Sequence, residues 1–423
     1  MNAGLLVFLL LVLLAFLGLP IFTAIGVATI AGLAVADFPM STIVQKTFLG
    51  LNSSSLLSIP FFILAGNIMA QGITQRLLRV ADVFLGRVRG SLGAVTVVAS
   101  GLFGAISGSA VATVAAIGGM TVPAMKDQGY DENYAAAVAS ASSLLGPMIP
   151  PSITLIVYAS LTDCSIQKLF MATAAPAVLC CVLFLAYSLW YGKKHNLPQQ
   201  PKMSGKEIAQ IFKDGIWALL MPVIVLGGIF GGICTVTEAA AISAVYSAIV
   251  ALFVYKTMTF RQLLDTLFES SVSVAAIMIL VGMSKASSYV VIASQLPQLF
   301  METVTSLTSS RFVVLMIVNV ILLILGCLME GNCIIVMMVP LMLSLVNSLG
   351  IDLIQFGIIT CFNVYIGCIT PPVGMSLLVG TKIAGTGMGP TTKAILPFLG
   401  ISLVILILVT YVPTFSLLLP SLA

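Results

Sequence analysis

The sequence predicts an all-α polytopic membrane protein made of two inverted repeats, on three observations. Of 423 residues, 60% are apolar and only 8% are charged, whereas a soluble domain carries roughly 25% charged residues. Apolar segments recur from Leu5 to Leu419, too many for a single anchor and without the alternation of a membrane β-barrel. Finally, Gly/Pro-interrupted apolar segments occur in corresponding places of the two halves, the pattern that marks the binding site of repeat-built transporters.

In the first half, residues 5–17 and 21–36 read as two helices parted by Gly18-Leu19-Pro20. Residues 42–50 form a short amphipathic stretch and 56–70 a span. Residues 73–89 mix Arg76, Arg79, Asp82, Arg87 and Arg89 with Leu, Val and Phe, which suits a helix lying in the membrane interface. Residues 91–125 form a double-length apolar segment interrupted by Gly101, Gly104, Gly108, Gly118 and Gly119, expected to be a re-entrant hairpin. Residues 134–161 are broken by Gly-Pro-Met-Ile-Pro-Pro at 146–151, and 170–191 form a plain span.

After a polar loop, residues 216–233 and 239–255 read as spans, 260–270 as amphipathic and 272–292 as a span. Residues 312–346 are interrupted at Met329-Glu330-Gly331-Asn332, 354–382 carry Gly-Cys-Ile-Thr-Pro-Pro at 367–372, and 395–418 close the chain. The expected organisation is scaffold and arm of repeat 1 over 1–90, hairpin and broken helix over 91–165, and a last span over 166–191. A cytoplasmic loop over 192–213 leads to scaffold and arm of repeat 2 over 214–310, the second hairpin and broken helix over 311–388, and a final span over 389–423.

The residues support a repeat. Residues 128–153 align without gaps on 349–374, making Gly129/Gly350, Asp131/Asp352, Gly146/Gly367, Pro150/Pro371 and Pro151/Pro372 identical. Upstream, Val122-Pro123-Ala124-Met125 matches Val339-Pro340-Leu341-Met342. With each doubled segment re-entrant, each half crosses the membrane five times, and an odd number inverts the second half. Placing the N-terminus outside puts Arg76, Arg79, Arg87, Arg89, Lys126, Lys193, Lys194, Lys202, Lys206, Lys213, Lys256, Arg261, Lys382 and Lys393 inside. Only Lys46, Lys168, Lys285 and Arg311 then fall outside. This is the expected cytoplasmic excess, and it makes both termini periplasmic in a bacterial cell.

Several classes drop out. No phosphate loop of the GxxxxGK[ST] type is present, so energy must come from an ion gradient or from partners. The one histidine, His195, lies in a basic loop, which disfavours a histidine metal site or proton relay. An intramembrane hydrolase lacks its nucleophile–base pair, and paired closed breaks disfavour a channel. The eight cysteines form no CxxC pair and read as small packing residues.

Consecutive prolines remove two backbone donors. In lipid the freed carbonyls are tolerated only where they line a cavity or bind something, and they suit a hard cation such as Na⁺. The expected hairpin tips are Ser107-Gly108-Ser109, followed by Thr113, and Glu330-Gly331-Asn332. Their hydroxyl and amide oxygens suit a cation, and the N–H groups of adjoining helix starts suit a carboxylate. Glu330 within an apolar segment costs about 2.5–3.5 kcal/mol on insertion scales. Na⁺ binding, proton carriage, pairing with Lys285 or Arg311, and a plain reach from the tip to the aqueous surface all stand open for it. Glu238 reads as an N-terminal helix carboxylate.

The Gly-Pro-Met-Ile-Pro-Pro-Ser and Gly-Cys-Ile-Thr-Pro-Pro-Val-Gly breaks, the Ser-Gly-Ser-Ala-Val-Ala-Thr tip and the early Gly-Leu-Pro resemble the large membrane subunit of tripartite ATP-independent periplasmic (TRAP) transporters, of the DctM/SiaM kind within the ion transporter superfamily. The resemblance spans nearly the whole chain. It implies an elevator-type, Na⁺-coupled importer of an organic acid in the bacterial inner membrane. Its implied partners are a periplasmic substrate-binding protein and a small four-helix membrane subunit, expected here as a separate chain; no nucleic acid is implied. It implies two Na⁺ sites, the first at Ser107, Gly108, Ser109, Gly146 and Pro150, the second at Gly331, Asn332, Gly367, Thr370 and Pro371. The acid is expected between them, at Ser109, Thr113, Asn332 and Glu330. A charged Glu330 where the first tip has Ser107 departs from the symmetry. The alternative is a stand-alone Na⁺- or H⁺-coupled organic-anion symporter.

Overall fold

The computed structural model describes residues 2–199, 203–308 and 310–422, and these contain helices but no strand. Lys202, counted above on the inner side, lies outside the described residues. Asn2 accepts the Gly4 and Leu5 N–H groups and so starts α1 (Ala3–Phe16), satisfying donors that a helix start leaves orphaned. Gly18 takes φ 83° in the turn before α2 (Ile21–Val35), and the amphipathic α3 (Ser41–Leu51) follows. Asn52 to Leu57, with three serines, parts α3 from α4 (Ser58–Ala70). α5 (Thr74–Leu85) is the expected basic amphipathic helix.

The first hairpin is α6 (Ser91–Ser107), a turn at Gly108, and a second leg made of α7 (Ala110–Thr113), a wide-turned stretch Val114–Gly118 and α8 (Gly119–Asp127). Of its six glycines only Gly108 reverses the chain, at φ 61°. The second leg packs back on α6. α9 (Glu132–Ser142) and α10 (Leu145–Met148) end before Ile149-Pro-Pro-Ser152, and α11 (Ile153–Thr162) resumes with a 42° bend. α12 (Ile166–Lys194) closes this half.

In the second half α13 (Gly205–Phe230), α14 (Val236–Ile249), α15 (Phe260–Ala293) and α16 (Leu296–Leu307) precede the second hairpin, α17 (Arg311–Leu328) and α18 (Gly331–Ser348). α19 (Leu353–Gly367) and α20 (Met375–Ala384) flank the segment 368–374, and α21 (Met388–Tyr411) and α22 (Pro413–Leu417) end the chain. Among the described residues, seven helices are long and apolar enough to cross a membrane, or eight counting the bent pair. α1 and α2, at 14 and 15 residues, are shorter than the ~20 that a perpendicular span needs.

Four expectations change. Residues 260–270 and 272–292 form the single 34-residue α15: the junction carries Ser270, Ser271 and Ser273, but Ser271 and Ser273 donate back to the Leu267 and Glu269 carbonyls of their own helix at 2.8 and 3.2 Å, and the helix runs on. Within the scaffold and arm expected over 214–310, α16 is an additional helix; its apolar Leu296, Leu299, Phe300 and Val304 fall on one face, and Pro297 lies in its first turn. The loop expected over 192–213 is shorter at both ends. Lys193 and Lys194 complete α12, while Ser204 and Glu207 cap each other's backbone at the start of α13. The second tip is Met329-Glu330, since Gly331 already opens α18.

The sequence identities between the halves land on equal structural roles. Gly129 and Gly350 both have positive φ, 79° and 59°, where a glycine avoids the Cβ penalty. Asp131 caps α9 through the Tyr134 N–H at 2.9 Å, and Asp352 caps α19 through Ile354 and Gln355 at 2.8 and 3.0 Å. Both Pro-Pro peptide bonds are cis. The halves interlock: α11 packs on α18 and α19, and α20 packs on α9. Around them α15 packs on α1, α2, α3 and α4, while α13 contacts α5 and α14.

Candidate functional site

The first tip is held by its own hydroxyls. Ser107 Oγ and Thr113 Oγ1 lie 3.3 Å apart, and Thr113 Oγ1 donates to the Ser109 carbonyl at 2.7 Å. The Ser109 side chain accepts the Ala112 N–H and so starts α7. Gly108 has φ 61°, and a Cβ there would collide with the Pro151 carbonyl oxygen, so the tip rests directly on the Ile149–Ser152 segment. A Cβ on Gly146 would sit 2.6 Å from Thr113 Oγ1 and 2.8 Å from the Ser109 carbonyl. The fold thus gathers Ser107, Gly108, Ser109, Thr113 and Gly146. Pro150 is buried in the same segment, but the carbonyl against the tip is that of Pro151.

The second tip is built by capping. Glu330 is extended and accepts the Cys333 N–H at 3.3 Å as the N-cap of α18, where its charge faces the positive helix end. Asn332 Nδ2 donates to Glu330 Oε1 at 2.9 Å. Asn332 Oδ1 is buried and has no hydrogen-bond partner. The 368–374 segment reaches this hairpin through the Val373 N–H, which donates to the Cys327 carbonyl at 3.3 Å. Thr370 Oγ1 donates back to the Ile366 carbonyl at 2.7 Å.

Glu330 pairs with neither candidate cation. Lys285 Nζ donates to the Ser160 carbonyl at 2.6 Å, and Arg311 reaches Gln355 at 3.5 Å. The only ion pair among the described residues is Lys126–Glu132 at 3.0 Å. Glu330 is exposed because it borders a cavity, which removes most of the desolvation cost that a lipid-facing carboxylate would carry.

That cavity, about 420 Å³, lies between the two tips. Gly108, Ser109, Glu330, Gly331 and Asn332 line it, with Pro147, Thr154, Tyr365 and Cys368 from the broken-helix regions. Ile21 and Phe22 of α2 and Ala276, Ile277 and Leu280 of α15 close the other wall. No Lys or Arg among the described residues borders it. Ser107 and Thr113 lie behind the lining, and Gly146, Pro150, Gly367, Thr370 and Pro371 do not border the cavity. What the arrangement offers is oxygen: hydroxyls, backbone carbonyls, an unpaired amide oxygen and one carboxylate. Such a set suits a hard cation, with two helix starts, α7 and α18, beside it.

Gly326, Ser152 and Tyr365 were not singled out from sequence, and Gly104 only as an interruption of the hairpin. Gly104 meets Gly146, where a Cβ would stand 2.5 Å from the Gly146 Cα; Gly326 likewise meets Gly367, at 3.0 Å. Each hairpin leg therefore crosses its partner helix backbone to backbone. Gly104 and Gly108, four apart, were a readable small-xxx-small signal; Gly326 had none. Ser152, the N-cap of α11, hydrogen-bonds Tyr365 OH at 2.8 Å and ties the first break to α19. Ser152→Ala is expected to cost about 1 kcal/mol by orphaning a buried hydroxyl. Ser152→Ala with Tyr365→Phe should cost less than the sum of the two single changes, measured by thermal unfolding of the purified protein.

A profile of the family described as tripartite ATP-independent periplasmic transporter, DctM component, matches residues 7–415. The C4-dicarboxylate TRAP transporter large permease protein DctM of Pseudomonas aeruginosa is 40% identical, covering 87% of this chain and 86% of the relative. The sialic acid TRAP transporter large permease protein SiaM of Vibrio cholerae is 34% identical over 97% of this chain and 96% of its own. The isethionate TRAP transporter permease protein DctMQ of Oleidesulfovibrio alaskensis is 37% identical over 94% of this chain and 63% of its own length. In three dimensions the chain is similar to the crystal structure of the YdaH transporter of Alcanivorax borkumensis, with a TM-score of 0.61 at 15% identity, covering 100% of this chain and 98% of the other. That last likeness is one of fold alone.

Proposed function

Since this chain belongs to the DctM family of TRAP transporter large permeases, and is therefore a transporter permease and not an enzyme, we propose that it imports a small organic acid coupled to Na⁺. The observation that carries the reading is the 420 Å³ cavity between the two tips, lined by Asn332, whose Oδ1 is buried and unpaired, and with no cationic side chain among the described residues in its wall. An acid anion there needs its charge balanced, and coupling cations on the tip oxygens would do so. Residues fitting the first cation are Ser107, Gly108, Ser109, Gly146 and the 150–151 carbonyls; those fitting the second are Gly331, Asn332, Gly367, Thr370 and Pro371. The acid would lie between them, against Ser109, Asn332 and Glu330, with Thr113 ordering the first tip.

The substrate class follows from shared chemistry. The named relatives handle C4-dicarboxylates, sialic acid and isethionate, all polar molecules bearing a carboxylate or sulfonate oxyanion. A tenfold Na⁺ gradient supplies about 1.4 kcal/mol per ion, and one net charge crossing about 100 mV adds about 2.3 kcal/mol. Two Na⁺ with one monovalent acid then carry about 5 kcal/mol, a concentration ratio on the order of thousands.

In this reading the halves are inverted repeats broken at their Pro-Pro segments. The interlocked unit from the two hairpins and broken helices moves as an elevator against the wall of α2 and α15. The protein sits in the bacterial inner membrane with both termini periplasmic. A periplasmic binding protein delivers the acid, and a small membrane subunit buttresses the scaffold.

The test is uptake into proteoliposomes holding this chain and its small subunit, with succinate, N-acetylneuraminate and isethionate as labelled acids. Each is offered with and without a Na⁺ gradient and binding protein. Uptake that needs both is the expected result. Uptake without the binding protein would make the chain a stand-alone symporter, and uptake indifferent to Na⁺ would remove the cation roles of Asn332 and Thr370.

A further inference from the structure

The tip cavity is not the only space on the interface between α15 and the α11–α18 pair. A second cavity, of about 610 Å³, opens further along it. The same three helices border both, at successive positions. α15 presents Ala276, Ile277 and Leu280 to the first cavity, then Lys285, Ser288 and Tyr289 to the second. α11 presents Thr154 and then Ser160, and α18 presents Cys333 and then Pro340. Five to seven residues of helix at 1.5 Å each separate the two levels, roughly 10 Å.

The two cavities differ in charge. The first has Glu330 and no cation; the second has Lys46, Lys285 and a single carboxylate, Asp163. Neither lysine has a carboxylate within ion-pair distance among the described residues. Lys285 lies eight residues from the end of α15, about 12 Å along the helix, a depth at which a lysine is a functional candidate by default. Its passage is prepared: a Cβ on Gly50 would stand 2.5 Å from Lys285 Cγ and 2.6 Å from its Cβ, so only a glycine leaves room for the lysine stem. One ammonium donor goes to the Ser160 carbonyl, and an ammonium has three. Lys46 Nζ stands 4.4 Å above the Tyr289 ring, which steadies the cation without neutralising it.

We propose that the cavity around Lys285 and Lys46 is a second anion site, which holds the oxyanion of the transported acid at the other level of the same interface. This rests on the organic-acid reading of the tip cavity. The division of labour is electrostatic: lysines balance the acid at this level, and coupling cations balance it between the tips. Asp163 keeps the net charge of the site near +1, enough to attract an anion and let it go.

The test uses the full chain in nanodiscs, titrated with succinate, N-acetylneuraminate or isethionate, while acylation of individual lysines is followed by peptide mass spectrometry. One of these acids is expected to slow labelling of Lys285 and Lys46 while leaving Lys393 unchanged, and to do so equally in Asn332→Ala, in which the tip cavity is impaired. In proteoliposomes, Lys285→Gln should raise the acid concentration for half-maximal uptake about tenfold, the worth of one charged hydrogen bond, with Lys285→Arg recovering part of the loss and Lys393→Gln unchanged.

Labelling of Lys285 and Lys46 at the same rate with and without acid, or an unaltered half-saturation in Lys285→Gln, overturns the proposal. So does a Lys285→Gln defect confined to the concentration of binding protein required, which would make the cavity a protein contact. Uptake by the wild type without lysine protection would leave the transport reading standing and remove only this site. Protection without uptake would do the reverse.

Discussion

Gly367→Ala is expected to reduce uptake at least tenfold per folded molecule and to destabilise the protein by about 3 kcal/mol. The added Cβ would collide with backbone atoms of Gly326, not with the tip of a side chain that could swing away. Carbon atoms prefer about 3.5–4.0 Å of separation, so α17 and α19 would have to part by roughly 1 Å. That displacement moves the second tip relative to the 368–374 segment, the geometry that a cation held between them requires. Gly146→Ala should act the same way on the first tip, more mildly, since one of its close atoms is the Thr113 hydroxyl at 2.6 Å. Thermal unfolding and Na⁺-driven uptake of the two variants check this. Wild-type uptake by Gly367→Ala would show that the helix crossing does not position the site.

Asn332→Ala is expected to raise the Na⁺ concentration for half-maximal uptake ten- to hundredfold, about 1.4–2.8 kcal/mol of lost cation affinity. The basis is specific: Oδ1 is a buried oxygen without a donor, and an unpaired buried polar atom of this kind costs about 1–3 kcal/mol unless something binds it. The fold itself should tolerate the change, because Glu330 still caps α18 through the Cys333 N–H. The effect should appear in the Na⁺ dependence at saturating acid, with unfolding temperature nearly unchanged. An unaltered Na⁺ dependence would remove Asn332 from the cation site.

Most of the secondary structure was legible because its signals are local. Asp131 and Asp352 cap the helices that follow them, and Gly108 reverses the chain at positive φ. The Pro-Pro pairs lie where helices stop. The places where reading failed have the same cause in reverse. α15 runs unbroken through Ser270, Ser271 and Ser273 because Ser271 and Ser273 bond back onto their own helix, although its composition changes from amphipathic to apolar partway along. α16 carries a helical stripe too short to stand out beside the long spans.

The sequence by itself determined the membrane class, the hairpins, the breaks and the residue types available at each tip, since all of these follow from hydropathy, backbone donors and φ preferences along a few neighbouring residues. The tertiary structure decided which of those residues meet. Gly104 finds Gly146 and Gly326 finds Gly367 across separate helices, and Lys285 reaches the Ser160 carbonyl 125 positions away. It also chose among the readings open for Glu330 by placing it at the edge of a cavity, and put Pro151 rather than Pro150 against the first tip. Such pairings depend on the rotation and depth of whole helices. A turn of one residue changes a helix face by about 100°, and only the packing of the complete fold sets that angle.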